Sequence, residues 1–328
     1  MSIEMRRIGD SELEVAPLAL GGNVFDWTAD EKTSFAVLDA FVDAGGTMID
    51  TADVYSAWVP GHEGGESERL IGRWLKRDPG RRDKVAIATK VGFLDGEIVD
   101  GEYVANLDPA VIARACESSL QRLGIEAIDL YYQHRDNPKV PLADSLGAFE
   151  ELRRDGKIRA IGLSNFSAER IDQAVTTSKQ EGFAAPAALQ PWYNMMERGK
   201  FEPDLRDAAL RNHLGVFPFY SLANGFLTGK YRSEADLSKS VRGERSRGYL
   251  EGKGAQVLKA LDEIAAETGE ALATISLAWL MAQPSIVAPI ASATSVDQLN
   301  ELTAAMHLKL SSEQQDRLDE ASTEALPA

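Results

Sequence analysis

Four side chains in the first half of the chain have the types that acid–base chemistry uses: Asp50, Tyr55, Lys90 and His134. A lysine ammonium near a tyrosine favours phenolate over phenol, which predicts a tyrosine pKa lowered from about 10 toward neutral pH. Asp50 would keep the lysine charged, and a histidine can donate a hydrogen bond to an oxygen on which negative charge develops. The set is suited to protonating an alkoxide as a hydride reaches its carbon, and the hydride must come from a cofactor.

A metal site is the alternative use of such residues. His62 and His134 could share a metal ion with Asp50, but the chain has no spacing such as His-Glu-x-x-His and contains only four histidines and one cysteine. Those counts and spacings favour a site without a metal.

Short apolar runs of strand length recur along the chain, and several are apolar at both parities, as strands buried on both faces must be. Eight such runs are present: Val15–Leu20, Thr47–Thr51, Val85–Lys90, Ile128–His134, Ile158–Leu163, Ala187–Gln190, Val216–Phe219 and Ser285–Ile290. Amphipathic stretches of helical length lie between them: Asp30–Ala44, Ser67–Arg77, Pro109–Leu123, Leu142–Asp155, Ala168–Ser178 and Pro203–Asn212. This alternation predicts parallel strands joined by right-handed crossovers.

Eight strand–helix units predict an α/β fold of the (β/α)8 TIM barrel type, in one domain over residues 1–328. The alternative is an open doubly wound sheet, which would place Gly-x-Gly-x-x-Gly directly after the first strand. Gly21-Gly22 stands there without the rest of that motif, so the barrel is favoured. Arg6–Val15, around Gly9-Asp10-Ser11, predicts a β-hairpin that caps the N-terminal end of the barrel.

Composition limits the partners and the compartment. The 328 residues carry a net charge of −16, which disfavours binding to nucleic acid or to an anionic membrane. The single cysteine, Cys116, fits a reducing compartment, and the first ten residues contain no apolar stretch of signal-peptide length, so we expect a cytoplasmic protein.

Residues 271–296 lack charge, but Pro284 and Pro289 interrupt them. We therefore expect a buried helix up to Gln283, a turn and a short strand there, not a membrane span.

Polar residues follow the predicted strands at their carboxyl ends, where the chemistry of such barrels lies. In chain order they are Gly21-Gly22-Asn23, Asp50 to Tyr55, Lys90, His134-Arg135-Asp136, Ser164-Asn165, Gln190, Phe219-Tyr220-Ser221 and Ser292-Ala293-Thr294. Any one of these has an ordinary structural explanation as a capping, solvated or packed residue. Eight neighbouring strands that all end in polar groups favour a functional site.

Five segments resemble sequence motifs of the aldo-keto reductase family, in order and on the expected strand ends. They are Met48–Tyr55, which contains Asp-Thr-Ala-x-x-Tyr, then Ala88–Lys90, Asp129–His134, Gly156–Ser167 and Gly225–Tyr231. The resemblance covers nearly the whole chain. It implies that Asp50, Tyr55, Lys90 and His134 form a catalytic tetrad with Tyr55 as the general acid. The implied reaction is reduction of aldehydes or ketones to alcohols.

The resemblance also implies NADP(H) extended across the barrel mouth and no metal. Ser164, Asn165 and Gln190 would bind the nicotinamide carboxamide, and Phe219 or its neighbour Tyr220 would stack on the nicotinamide ring. Further expected cofactor contacts are Gly22 and Asn23, with Ser221, Leu222, Gly229 and Lys230 along the pyrophosphate. An alternative within the resemblance is a regulatory subunit that binds a nicotinamide cofactor and acts through a protein partner.

The chain departs from the family pattern after the eighth strand. Thr294 stands where the family often has an arginine that grips the adenosine 2′-phosphate. Ser292, Thr294 and Gln298 could hydrogen-bond that phosphate without a charge-assisted contact, so NAD(H) also stays possible. The basic segment, residues 230–247, is interpreted either as a solvated loop or as a phosphate clamp.

The expected substrate is a small carbonyl compound, and the sequence points to no particular oligomeric state. Trp27, Trp58, Phe93 and Trp192 fall near the predicted mouth and could form an aromatic pocket. Trp192 and its neighbour Tyr193 are equally compatible with packing beneath loops. Acidic residues in the loop 92–108 lead us to expect that anionic substrates are disfavoured.

Overall fold

The computed structural model describes residues 3–99 and 102–323. Its first element is an antiparallel hairpin, β1 (Arg6–Arg7) and β2 (Glu14–Val15). Ile8 and Val15 of this hairpin are fully buried and pack against the first residues of the barrel strands. The predicted hairpin cap at the N-terminal end of the barrel is therefore present.

Eight parallel strands form one sheet that curls into a barrel. They are β3 (Ala19–Gly21), β4 (Met48–Asp50), β5 (Ala86–Val91), β8 (Ile128–Gln133), β9 (Ile158–Ser164), β10 (Ala188–Gln190), β11 (Gly215–Val216) and β12 (Ile290–Ala291). A small hairpin of β6 (Glu97–Val99) and β7 (Glu102–Val104) follows β5. The sheet order is β11-β10-β9-β8-β5-β4-β3-β12.

Backbone hydrogen bonds join the two edges of this sheet. The amide of Val216 donates to the carbonyl of Ser285 at 2.9 Å, and the amide of Val287 donates back to Val216 at 2.9 Å. The sheet therefore closes on itself, and the α/β (β/α)8 barrel predicted from the alternation is confirmed.

Three predicted strands have clearly different bounds in the structure, and a proline lies at each difference. The seventh strand, predicted over Val216–Phe219, is β11 and ends at Val216, before Pro218. Val15 belongs to the hairpin, and the first barrel strand starts only at Ala19, after Pro17. The last strand starts at Ile290, after Pro289, although residues 285–287 still bond to Val216. Proline has no amide hydrogen to donate to a ladder, so each interruption falls where the ladder lacks a donor.

Within the described residues, ten α-helices surround the barrel or cover its ends. They are α1 (Glu31–Asp43), α2 (Glu66–Arg77), α3 (Pro109–Leu123), α4 (Leu142–Arg154), α5 (Ala168–Glu181), α6 (Asp204–Arg211), α7 (Lys253–Thr268), α8 (Leu272–Ala282), α9 (Val296–Ala304) and α10 (Ser312–Ser322). Side-chain caps fix several starts: Asp30 accepts from the Thr33 amide at 2.8 Å, and Ser167 accepts from the Arg170 amide at 3.2 Å. Each cap directs a helix away from a strand end, which leaves that end open to the mouth.

Two groups of apolar side chains hold the barrel together. The larger lies between sheet and helices, and the smaller fills the N-terminal half of the barrel around Met48, Leu130 and Tyr132. Gly162 of β9 is required there, because a Cβ atom at this position would lie 2.3 Å from the Tyr132 ring. The uncharged stretch 271–296 contains the buried helix α8, and among the described residues no helix is long and apolar enough to cross a membrane.

Candidate active site

The centre of the site is a buried lysine bound to three oxygens. Lys90, near the end of β5, has its Nζ 2.7 Å from Asp50 Oδ2, 2.7 Å from the Thr51 carbonyl oxygen and 3.3 Å from Tyr55 Oη. Asp50 ends the neighbouring strand β4, and both Lys90 and Asp50 are buried. Three acceptors satisfy the three donors of the ammonium, so its position is fixed.

Burial acts on both partners of the Lys90–Tyr55 contact. Burial lowers the pKa of Lys90, but the Asp50 carboxylate and Tyr55 outweigh it, and the net pKa lies above its usual value. For Tyr55, burial raises the pKa by more than Lys90 lowers it, so the net shift is upward. The expectation of a lowered tyrosine pKa is therefore wrong, because desolvation of the phenolate is the larger effect. Tyr55 is a neutral phenol at pH 7, which is the form that donates a proton.

His134 follows β8 and lies beside the tyrosine. Its ring centroid is 6.2 Å from that of Tyr55 and 4.4 Å from that of Phe93, both in edge-on arrangements. Burial, together with the charges of Lys90 and Arg135, holds the pKa of His134 well below its usual range. The imidazole is therefore neutral, and its buried Nδ1 has no hydrogen-bond partner within the described chain.

The three residues expected at the nicotinamide carboxamide form one network with the tetrad. Gln190 Nε2 donates to Asp50 Oδ1 at 2.9 Å, and Ser164 Oγ donates to the Gln190 carbonyl at 3.0 Å. Asn165 Nδ2 donates to the His134 carbonyl at 2.9 Å. The network presents amide and hydroxyl groups beside Tyr55, a donor set that fits a carboxamide.

Two aromatic residues follow β11, and they have different surroundings. Phe219 makes a parallel backbone bridge with Trp192, and their ring centroids are 6.3 Å apart. Tyr220 has a φ of 54°. An ionised Tyr220 would raise the pKa of Tyr55, so the two phenols lie within charge-interaction range, whereas Phe219 packs beside Trp192.

The residues expected along a pyrophosphate lie on a turn after β11. Ser221 is buried, and its Oγ donates to the Pro218 carbonyl at 3.0 Å, so this hydroxyl stabilises the turn. Leu222 precedes a 3₁₀ segment, 223–228, that ends at Gly229 with φ of 75°. Lys230 is exposed, and no carboxylate of the described residues pairs with it. Lys230 is thus the charged group of this set.

The residues expected at the far end of a dinucleotide bind one another. Ser292 Oγ donates to Asn23 Oδ1 at 2.6 Å. Thr294 donates from its amide and its hydroxyl to Gln298 Oε1, at 3.0 and 3.1 Å, at the start of α9. Gly22 packs tightly below them, where a Cβ atom would lie 2.8 Å from Ser67 Oγ. This corner is polar but carries no arginine side chain of its own.

Aromatic rings extend from Tyr55 along one side of the mouth. Trp58 is 46% exposed and lies 5.6 Å from Tyr55 and 5.5 Å from Trp27, measured between ring centroids. Trp192 lies on the side of Tyr220, at 5.1 Å. Tyr193 is buried and packs on Phe201 and Trp279, so it belongs to the core beneath the loops.

Sequence reasoning gave no individual role to two ionisable residues around the site. Asp53, three residues after the end of β4, is 1% exposed, and neither carboxylate oxygen has a hydrogen-bond partner in the described chain. Burial and the nearby Glu68 raise its pKa well above the usual range. Arg242, in the basic segment, lies over the Trp27 ring at 5.1 Å from the centroid. The basic composition of residues 230–247 was the only signal for Arg242.

A groove of about 1530 Å³ lies at the opposite end of the barrel, beside α2 and α3. Its arginines are paired with carboxylates: Arg82 with Asp129 at 2.8 Å, and Arg122 with the buried Glu68 at 2.6 Å. These ion pairs stabilise the fold, and the tetrad lies at the other end, so the strand carboxyl ends are the candidate site.

The fold and site define a class: a (β/α)8 barrel with an acid–base group at the carboxyl ends of neighbouring strands. The model of the aldo/keto reductase family matches residues 17–323, and the chain belongs to this family. It is therefore an oxidoreductase, of a family that typically uses a nicotinamide cofactor and small carbonyl substrates.

Three relatives match the chain over nearly its whole length. YrpG, an uncharacterized oxidoreductase of Bacillus subtilis (strain 168), is 33% identical over 314 residues, covering 95% of this chain and 93% of YrpG. The aldo-keto reductase yakc [NADP(+)] of Schizosaccharomyces pombe is 32% identical over 318 residues, which cover 95% of this chain and 89% of yakc. Aldo-keto reductase YhdN of Bacillus subtilis is 32% identical over 330 residues, covering 95% and 92%.

Proposed function

We propose that this protein reduces aldehydes or ketones to alcohols with NADPH, and that Tyr55 is the general acid. The observation that carries the proposal is the placement of the Tyr55 phenol 3.3 Å from the buried ammonium of Lys90, with the His134 ring alongside. A phenol in this setting can give its proton to a carbonyl oxygen, because the ammonium stabilises the phenolate that remains.

Each of the other tetrad members supports that proton transfer. Asp50 keeps Lys90 charged through the 2.7 Å ion pair. His134, as a neutral imidazole, donates a hydrogen bond to the carbonyl oxygen, which fixes the substrate and stabilises developing negative charge. Aromatic side chains at the mouth exclude water from the reacting atoms.

A nicotinamide cofactor supplies the hydride in this proposal. Ser164, Asn165 and Gln190 would hold its carboxamide, since their amide and hydroxyl groups already converge beside Asp50. Tyr220 would stack on the ring, and the exposed ammonium of Lys230 would contact the pyrophosphate. The name of the yakc relative supports NADP(H) over NAD(H).

Replacement of the acid tests the proposal. Tyr55→Phe removes only the hydroxyl, so we expect the variant to bind NADPH as the unaltered protein does, with the same change in NADPH fluorescence on titration. We expect its kcat to fall by about 10²–10⁴-fold. Tyr249→Phe, which removes the same hydroxyl from a tyrosine that donates to Glu197 at 2.6 Å outside the proposed site, is the matched control. Wild-type turnover by Tyr55→Phe would contradict the mechanism. An unaltered protein that binds NADPH but reduces no aldehyde in a broad panel would favour the regulatory-subunit alternative.

A further inference from the structure

Arg242 is a cation at the mouth of the barrel without a counterion. It is half-buried, and its guanidinium stacks over Trp27, 5.1 Å from the ring centroid. Its side chain forms no ion pair and no hydrogen bond with any residue in 3–99 or 102–323. An indole face contacts the guanidinium plane but satisfies none of its five N–H donors in the way an oxygen acceptor does.

Two other cations of the basic segment, Arg232 and Arg247, differ from Arg242 in this respect; Lys230 and Arg245, which form no ion pair within the described residues, are exposed. Arg232 pairs with Asp262 at 2.7 Å, and Arg247 pairs with Glu244 at 2.6 Å. Burial removes part of the hydration of the Arg242 guanidinium, and this desolvation lowers its pKa. A guanidinium nevertheless stays charged at any working pH, so Arg242 is a partly desolvated positive charge that lacks an anion.

Packing fixes the position of Arg242. The Arg242 amide donates to Ser240 Oγ at 3.3 Å, and Ser240 Oγ is also bonded to the hydroxyl of the fully buried Tyr231. The next residue, Gly243, lies so close to Leu237 that a Cβ atom would be 1.9 Å from the Leu237 carbonyl oxygen. The structure therefore holds the backbone at Arg242 by contacts on both sides of it in the chain, and the Trp27 ring positions the guanidinium.

The aromatic side of the mouth connects Arg242 to the proposed acid. Trp27 lies under Arg242, Trp58 contacts Trp27, and Tyr55 contacts Trp58, with successive ring centroids 5.5 and 5.6 Å apart. Ionised phenols at Tyr55 and Tyr220 would raise the pKa of Arg242, so both side chains lie within charge-interaction range of its guanidinium. A substrate whose carbonyl group reaches Tyr55 therefore extends along this wall toward a positive charge.

We propose that Arg242 binds an anionic group of the substrate, so that the enzyme prefers carbonyl compounds that carry a carboxylate away from the reacting carbon. This inference rests on the proposed function. A preference for carboxylates is the opposite of the expectation, drawn from the acidic loop 92–108, that anionic substrates are disfavoured. Asp95 of that loop pairs with Arg114 at 3.5 Å, whereas Arg242 is open to an added anion. Carboxylate and guanidinium match in geometry and form charge-assisted hydrogen bonds.

A matched pair of aldehydes tests the inference. 4-Formylbenzoate and 4-formylbenzamide have nearly the same shape and differ in charge. We expect a higher kcat/KM for the carboxylate with the unaltered enzyme, and a roughly tenfold fall in the carboxylate-to-amide ratio in Arg242→Gln, through KM rather than kcat. Arg247→Gln, at an exposed position on the same segment where the arginine pairs with Glu244, is the control and should leave the ratio unchanged.

The outcomes separate three conclusions. Equal kcat/KM values for the two aldehydes in the unaltered enzyme, or an unchanged ratio in Arg242→Gln, would overturn the inference while leaving the proposed function standing. NADPH titration of Arg242→Gln should give the unaltered dissociation constant. A weakened constant with an unchanged aldehyde ratio would assign Arg242 to a cofactor phosphate instead. An unaltered protein that binds NADPH and reduces neither aldehyde would overturn the proposed function itself.

Discussion

Lys90 Nζ lies 2.7 Å from Asp50 Oδ2, and both side chains are almost completely excluded from solvent. Two charges at this depth are stable only together, because each alone would lose its hydration without compensation. The same pair holds Tyr55 in hydrogen-bond contact, so one interaction supports both the fold and the proposed chemistry.

Removal of one charge of this pair should therefore destabilise the protein more than removal of both. Lys90→Met leaves the Asp50 carboxylate buried and unpaired, and we expect the free energy of unfolding to fall by about 3–5 kcal/mol. Lys90→Met/Asp50→Asn should regain part of that loss, and neither variant should turn over substrate. Urea denaturation followed by circular dichroism measures the difference. A double variant no more stable than Lys90→Met would contradict the pairing argument.

The rate of carbonyl reduction should be nearly independent of pH around neutrality. Tyr55 must be protonated to act as the acid, and its pKa is raised above the usual value of about 10, so the rate is lost only as the pH rises through that higher value. His134 has a pKa well below its usual range, so it stays neutral and adds no step near pH 6.5. The measurement is kcat/KM from about pH 6 to pH 9. An inflection inside that range would show that one of these directions is wrong.

Asp53→Asn should stabilise the protein at alkaline pH. Burial raises the pKa of Asp53 in the folded protein above the value of about 3.9 that it has in the unfolded chain. The contribution of Asp53 to stability is therefore fully present below the unfolded-state pKa. It is lost as the pH rises through the folded-state pKa. Asparagine cannot ionise, so the variant avoids that loss. We expect its melting temperature to exceed that of the unaltered protein at pH 8 and to match it more closely at pH 4. The exposed Asp83→Asn is the control and should change neither value; a parallel shift of both variants would refute the role of burial.

The barrel and the meeting of the four acid–base side chains at one end of it were predictable, because local patterns determine both. Asp50 and Lys90 lie at or near the ends of short apolar runs, and His134 directly follows one. Tyr55 comes five residues after β4, and parallel strands bring their carboxyl ends to one face. Asp50 and Lys90 therefore meet wherever β4 and β5 pair. The strand limits at Pro17 and Pro289 were missed because apolar composition continues through a proline that ends the ladder.

Other features of the site depend on packing that no local pattern encodes. Arg242 lies between two short 3₁₀ segments, 234–239 and 243–249, which have no hydrophobic periodicity to predict their path. Its position over Trp27 joins two loops that are about 215 residues apart in the chain. The direction of the Tyr55 pKa shift was likewise wrong in the sequence-based expectation, because the extent of burial is known only from the fold.

Thr294→Arg should strengthen the binding of NADPH relative to NADH. Thr294 stands just before α9, where its hydrogen bonds within residues 3–99 and 102–323 go to Gln298, and the family pattern often has an arginine at this position. An arginine can form two charge-assisted hydrogen bonds with a 2′-phosphate, which NADH lacks, so we expect the dissociation constant for NADPH to fall about tenfold while that for NADH stays unchanged. Fluorescence titration with both dinucleotides measures this. Thr294→Lys is the matched control, because lysine adds the charge without the planar pair of donors and should give a smaller gain. Equal gains for NADPH and NADH would mean that the new charge acts on the whole dinucleotide, and the 2′-phosphate would then lie away from α9.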